Sequence, residues 1–270
     1  GDAARHALRN RNVANVRVMF VHGIQADPSQ YKADVLRMAG FNVFAPNMGT
    51  NYLAFTCIIV ALALLIACMY YLYILIRSRT KYHGIAVYLA LALLLFYLLY
   101  VFVALIWRWK FVHCLNTVTD AIETFQPQAI VASSYGAAVT VELMREGVWS
   151  GPTILLSPAV DIIHRMLRRE GDLPTIPEGM TVTIVHGQQD YIAPYKDSLR
   201  LHRESDTHGE FIDAGSDGHL LFSWNDPKDM RNLVLNTIAT STRRRKRGAT
   251  SATQAARKEQ QRVATATASC

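Results

Sequence analysis

Cysteine is scarce in this chain. There are four, Cys57, Cys68, Cys114 and Cys270, and no two form a CxxC pair. That leaves neither a zinc knuckle nor a disulfide framework to expect. Nine histidines are present, but none stands in HExxH or another metal-ligand spacing, so no metal site is expected. The sequence also lacks GxGxxG and the phosphate-cradling GxxxxGK[ST] loop, so it carries no nucleotide signature and no cofactor is expected. Acidic residues are the minority, 21 against 28 Lys and Arg, for a formal net charge of +7. Much of the excess lies in one tract, RRRKR, Arg243 to Arg247. Elsewhere the chain is near balance, so no nucleic-acid-binding surface is expected. Beside apolar helices, the tract suits lipid headgroups or a protein partner.

The most informative absence is local. Residues 52–76 and 85–107 contain no charge at all, in a chain whose apolar content is 51%. Each run exceeds the ~20 residues a helix needs to cross a bilayer core. They predict a two-helix transmembrane insertion, joined by RSRTKYHG (77–84), a loop short enough to force an antiparallel hairpin. Both runs are internal and too long for a signal peptide. Basic residues sit at both ends, Arg77, Arg79 and Lys81 at one and Arg108 and Lys110 at the other, so the positive-inside rule assigns no sidedness. The chain begins at Gly1 rather than methionine, and Arg5, Arg9 and Arg11 follow. The expectation is a processed, two-pass protein of an organellar inner membrane, such as that of the mitochondrion.

Around the insertion, short apolar runs alternate with helical periodicity. Strands are predicted at 16–23, 41–47, 129–133, 152–158, 181–187 and 209–215. Helices are predicted at 28–39, 115–126, 136–147, 196–204 and 226–242. This order predicts an α/β fold with a mostly parallel sheet covered by helices on both faces. The segment 159–180 leaves room for a small cap only. The expected organisation is an extension at 1–15, a discontinuous α/β domain at 16–51 and 108–242, the hairpin at 52–107, and a basic, low-complexity tail at 243–270. The tail has too little apolar surface to fold alone. It and the hairpin are the expected contacts with other subunits, should the chain belong to a membrane complex.

One stretch, IVASSYGAAV (130–139), carries the chemical question. A strand ends in two serines and a helix of small residues follows. In the pattern G-x-S-x-G, a nucleophilic serine sits on a tight strand-to-helix turn whose neighbours must be small. Gly136 as the second glycine makes Ser134 the nucleophile, with Ala132 replacing the first glycine and Ser133 as a wall of the turn. Two later segments supply partners in the order this arrangement uses, serine, acid, histidine. VHGQQDYIAP places Asp190 just past a strand end, and DGHL places His219 in the loop after the last strand. Asp161, past the fourth strand, is the second candidate acid. Asp217 reads as a solvated loop residue, and His22 and His186 as structural or site-lining.

FVHGIQ, ASSYGAA, VHGQQDYIAP and DGHL, in this order and spacing, resemble an α/β-hydrolase fold serine hydrolase over residues 16–48 and 115–240. The resemblance implies a triad of Ser134, Asp190 and His219. It also implies an oxyanion hole formed by the backbone amides of Ile24 and Tyr135. The expected activity is esterase, lipase or thioesterase chemistry on an acyl ester, with a lipid-derived ester as the expected substrate. The alternative is a non-catalytic accessory subunit of an organellar membrane complex that retains the fold. The hairpin leaves the domain after the second strand, from the edge that carries the triad. The mouth of the site is therefore expected to face the bilayer.

Overall fold

The computed structural model describes residues 13–24, 31–50, 53–77, 83–167, 171–244 and 246–247. The N-terminal extension before Val13, the turn between the apolar helices and the tail from residue 248 lie outside these.

Six strands form one parallel sheet: β1 (Arg17–Val21), β2 (Asn42–Phe44), β3 (Ala129–Ser133), β4 (Thr153–Leu156), β5 (Val182–His186) and β6 (Phe211–Asp213). Their spatial order is β2-β1-β3-β4-β5-β6, and every pairing is parallel. The central strands are apolar on both faces because both are covered. Met19, Val21, Ile130, Ala132, Leu155 and Ile184 point into one core layer. Val18, Phe20, Val131, Ile154, Leu156 and Val185 point into the other. Each fully buried side chain of this size contributes about 1.5–3 kcal/mol of transfer free energy.

The second layer is covered by α1 (Tyr31–Met38), through Ala33, Val35 and Leu36, and by a long helix at 227–244, here α7, through Met230, Leu233 and Val234. The first layer is covered by α4 (Tyr135–Arg145), α5 (Val160–Met166) and the lower part of α3 (His83–Phe125). Helix α6 (Tyr195–Glu204) follows β5 and buries Leu201. Helix α2 (Leu53–Arg77) follows β2 and packs along α3.

Two sequence expectations meet a correction in α3. A membrane segment ending at residue 107 and a separate amphipathic helix at 115–126 were expected. They are one continuous helix of 43 residues. Nothing between Ile85 and Phe125 interrupts it, because that span holds neither proline nor glycine. It stops where Gln126 takes a positive φ of 51° and Pro127 follows. The expected domain boundary at 107/108 therefore runs through the middle of a helix. The lower part buries Phe111, Cys114, Leu115 and Val118 in the core. The upper part leaves Leu93, Tyr97 and Phe102 more than half exposed. The stretch Leu89–Phe125 is long and apolar enough to cross a membrane. In α2, the described apolar stretch is shorter, Leu65–Ile74.

Other differences are smaller. Strand β3 spans 129–133 as expected, and the other five are shorter than expected at both ends, as is usual where flanking residues leave the ladder for turns. The segment 159–180, expected as a small cap, supplies α5, which packs against the first core layer. The start of the basic tract, Arg243 and Arg244, continues α7 rather than opening a tail.

Candidate active site

Ser134 lies between the last residue of β3 and the first of α4, at φ 53°, ψ −115°. Residues with a Cβ rarely occupy this region, so the surroundings must hold it there. Its N–H donates to the Leu156 carbonyl at 2.9 Å. Its own carbonyl accepts from Ala137 N–H at 3.1 Å and Ala159 N–H at 3.2 Å. Small neighbours are required for packing reasons. A Cβ on Gly136 would stand 2.2 Å from the Val21 carbonyl oxygen, and one on Gly23 would stand 3.3 Å from Ser134 Cβ. Helix α4 thus meets β1 backbone to backbone, and the loop after β1 lies against the serine. Ala132, where the pattern has glycine, is fully buried without distorting β3.

His219 comes from the loop after β6. Its Nε2 lies 2.8 Å from Ser134 Oγ and its Nδ1 2.7 Å from Asp190 Oδ2. The loop is fastened from beneath. Lys32 on α1 donates through Nζ to the carbonyls of Leu221 (2.7 Å) and Trp224 (3.2 Å) and to Asn225 Oδ1 (2.7 Å). Burial pulls the Lys32 pKa down to about 8, with Asp217 acting against that fall. Asp217 itself accepts from the backbone N–H and hydroxyl of Ser223. It orders the loop next to His219 and is not part of the Ser134–His219 row.

Asp190 accepts on both oxygens. Oδ1 takes the N–H groups of Ile192 at 2.8 Å and Ala193 at 2.9 Å. Oδ2 takes His219 and also His186 Nε2 at 2.9 Å. Burial works to raise the acid's pKa, but the hydrogen bonds from His186 and His219 and from the Ala193 amide outweigh it. The carboxyl is held well below the usual carboxylate range and stays ionised.

His186 is the residue that sequence reasoning undervalued. It is fully buried at the end of β5. Because an ionised Asp190 only accepts, His186 must donate to it from Nε2. Its Nδ1 lies 2.6 Å from the Ser198 hydroxyl on α6, which donates to it when the ring is neutral. Nε2 also lies 3.0 Å from the Ala193 carbonyl. The four-residue spacing from His186 to Asp190 was visible in the sequence. The Ser198 contact was not, since it depends on where α6 packs.

The other candidates separate cleanly. Asp161 is bonded to Arg200, at 2.9 Å through Nε and 2.6 Å through Nη2, rather than to His219. His22 is buried in the loop beside Ser134, with Nδ1 3.0 Å from the Gly23 carbonyl. Of the two expected oxyanion donors, Tyr135 directly follows the serine, and Ile24 is next to Gly23, which lies against it. Tyr135 opens α4, where a helix N–H has no acceptor of its own helix. The Gly23 carbonyl accepts from the Thr50 hydroxyl at 3.3 Å, tying this loop to the segment that enters α2. Among the described residues no group of His, Cys, Asp and Glu is arranged to hold a metal.

No protein-family model and no curated protein matches this chain. Solved structures do. Alpha/beta hydrolase domain-containing protein 10 from mouse superposes with a TM-score of 0.52 at 11% identity, over 83% of this chain and 90% of that one. Est1E from Butyrivibrio proteoclasticus gives 0.48 at 13% identity, over 86% and 91%. Dienelactone hydrolase from Anabaena variabilis gives 0.45 at 14% identity, over 84% and 87%. The parallel sheet and its strand-to-helix turn at Ser134, together with the likeness to the mouse protein, establish that this chain has the α/β-hydrolase fold.

Proposed function

We propose that this protein is a membrane-anchored serine hydrolase acting on a lipid-derived ester or thioester. One observation carries the reading: His219 bridges Ser134 and Asp190 with hydrogen bonds of 2.8 and 2.7 Å. In this scheme His219 takes the Ser134 proton as Oγ attacks the acyl carbonyl carbon. Asp190 fixes the imidazole tautomer through Nδ1 and balances the imidazolium charge. The amides of Ile24 and Tyr135 receive the developing oxyanion. His219 then protonates the departing alcohol or thiol. A water, deprotonated by the same imidazole, releases the acid and restores Ser134.

The membrane part of the proposal rests on the course of α3. The helix feeds β3 at the N-terminal edge of the sheet, so its buried part runs antiparallel to the strands. Its exposed apolar part therefore extends past the C-terminal edge, the edge that carries Ser134, Asp190 and His219. Helices α2 and α3 would form the two-pass hairpin, with the domain at 16–51 and 108–242 hanging below it. The mouth of the site would then face the bilayer, from which an acyl chain enters.

A fluorophosphonate probe tests the chemistry. Labelling of the folded, membrane-reconstituted protein at Ser134, lost in Ser134→Ala, is the expected result. A protein that folds and inserts but does not react would instead be a structural subunit that keeps the fold, and would co-purify in a stoichiometric complex.

A further inference from the structure

The rim of the candidate site is more apolar than its chemistry requires. Tyr191 and Ile192, which follow Asp190, are 93% and 64% exposed. Leu220 and Phe222, which follow His219, are 57% and 67% exposed. Scattered exposed apolar residues need no explanation. Here, however, they sit on the loops that deliver the acid and the histidine, and Asp190 and His219 are in direct contact. A clustered apolar rim marks an interaction surface.

Helix α3 indicates what covers it. The last turn before the helix enters the core reads Trp107, Arg108, Trp109, Lys110. Aromatic and basic side chains together are the composition of a membrane–water interface. Trp109 is exposed, and Arg108 Nε donates to the Leu167 carbonyl at 2.8 Å, fastening the end of α5 at that level. The next residue, Phe111, is buried and meets Tyr135 edge to face with ring centroids 6.0 Å apart. Tyr135 adjoins Ser134. A helical turn rises about 5.4 Å, so the interfacial band lies about one turn above the level of the nucleophile's neighbour. Residues that stand outward of Ser134 on the same edge reach that height.

We propose that Tyr191, Ile192, Leu220 and Phe222 form a bilayer-contacting rim, seated at the boundary between headgroups and acyl chains. The proposal rests on the membrane-anchored reading of α2 and α3. The rim continues the apolar surface of α3 onto the loops around the triad. It seals the gap between mouth and membrane, so that an acyl chain passes from lipid to Ser134 without crossing water. The occupant is the lipid surface itself, because the flanking band on α3 is of interfacial composition and the rim lies at its level.

The test reads depth rather than turnover. A fluorescent noncanonical amino acid is placed singly at Ile192, Leu220, Leu93 and Met38 of the full chain in phosphatidylcholine nanodiscs. Brominated lipids quench from within the bilayer and iodide quenches from water. Leu93, on the exposed part of α3, reports the anchor. Met38, exposed at the end of α1 nearest the opposite sheet edge, reports water. The expected result is several-fold quenching at 192 and 220 by bromines just below the headgroups, deep quenching at 93, and iodide quenching alone at 38. Iodide quenching at 192 and 220 equal to that at 38, with 93 still embedded, overturns the rim while leaving the anchor intact. Protection at 192 and 220 from both quenchers overturns it in favour of a protein surface. A water-exposed Leu93 overturns both the anchor and the rim.

Discussion

Asp190 serves two serine–histidine pairs, and only one of them is partly exposed. On one side stand His219 and Ser134, on the other His186 and Ser198, with nearly equal distances: 2.7 and 2.8 Å against 2.9 and 2.6 Å. The residue types are the same and so is the order of hydrogen bonds. What differs, besides the ring nitrogens, which are reversed in His186, is the setting. Ser134 sits on a strained turn at the end of β3, with its histidine partly open. Ser198 lies inside α6 and is 1% exposed, and His186 is sealed completely. The lesson is that a serine–histidine–aspartate row is defined by the turn and the opening around it, not by the row. The inner pair supports the outer one, because it supplies a second donor to Asp190 and keeps it charged.

The comparison can be broken from either side. Ser134→Ala should have the largest effect, abolishing probe labelling and lowering ester hydrolysis by up to ~10⁶-fold, the scale seen when a triad nucleophile is removed. Asp190→Asn comes next. It deprives both histidines of their acceptor and should lower the hydrolysis rate by ~10⁴-fold if the imidazole tautomer is set by the acid. His186→Phe should destabilise the fold by about 1–3 kcal/mol, since it removes a buried partner of a charged group. It should also leave labelling at Ser134 detectable, which separates support from chemistry. Ser198→Ala should cost about 1 kcal/mol in urea unfolding and leave the probe reaction close to wild type.

The smallest effect is a pH signature. Asp190 has its folded pKa depressed, so its stabilising contribution is complete above the unfolded value of 3.8 and is lost as pH falls through the depressed one. Acid unfolding of the wild type should therefore show this loss only below pH ~4. In His186→Phe, with one donor gone, the loss should begin at the same pH, which the unfolded chain sets, but should be smaller and complete at a higher pH. Identical acid-unfolding curves for the two proteins would show that His186 does not hold the acid.

Much of this was readable from residue order. Local signals fixed the strands, because buried parallel strands are short apolar runs, and they marked the turn at Ser134, because small residues had to surround it. Asp190 and His219 were legible as residues just past strand ends, where the side chains of a parallel sheet converge. The role of His186 was not legible. A histidine before a glycine at a strand end looks the same whether it packs passively or donates to an acid, and Ser198 comes from a helix whose docking the sequence does not encode locally. The unity of α3 was missed for a different reason. Change in composition near residue 107 suggested a boundary, but composition alone does not end a helix. An unfavourable backbone residue does, and none occurs before Gln126 and Pro127.

The pairing of β1 has a consequence for how the protein is made. Val18 bonds beside Ala129, roughly a hundred and ten residues away, with both apolar helices between them. Strand β1 pairs on its other side with β2, which is synthesised soon after it. Until β3 leaves the ribosome, the β1–β2 pair is a two-stranded fragment with an open inner edge and only α1 to cover one face, and such fragments are at best marginally stable. The long separation adds little entropy cost by itself, because closure cost grows only with the logarithm of loop length. The order of events is nevertheless set: the helical pair is complete before the sheet has a centre. The two apolar helices are thus in place before the sheet closes, around a seam between its earliest and its later strands.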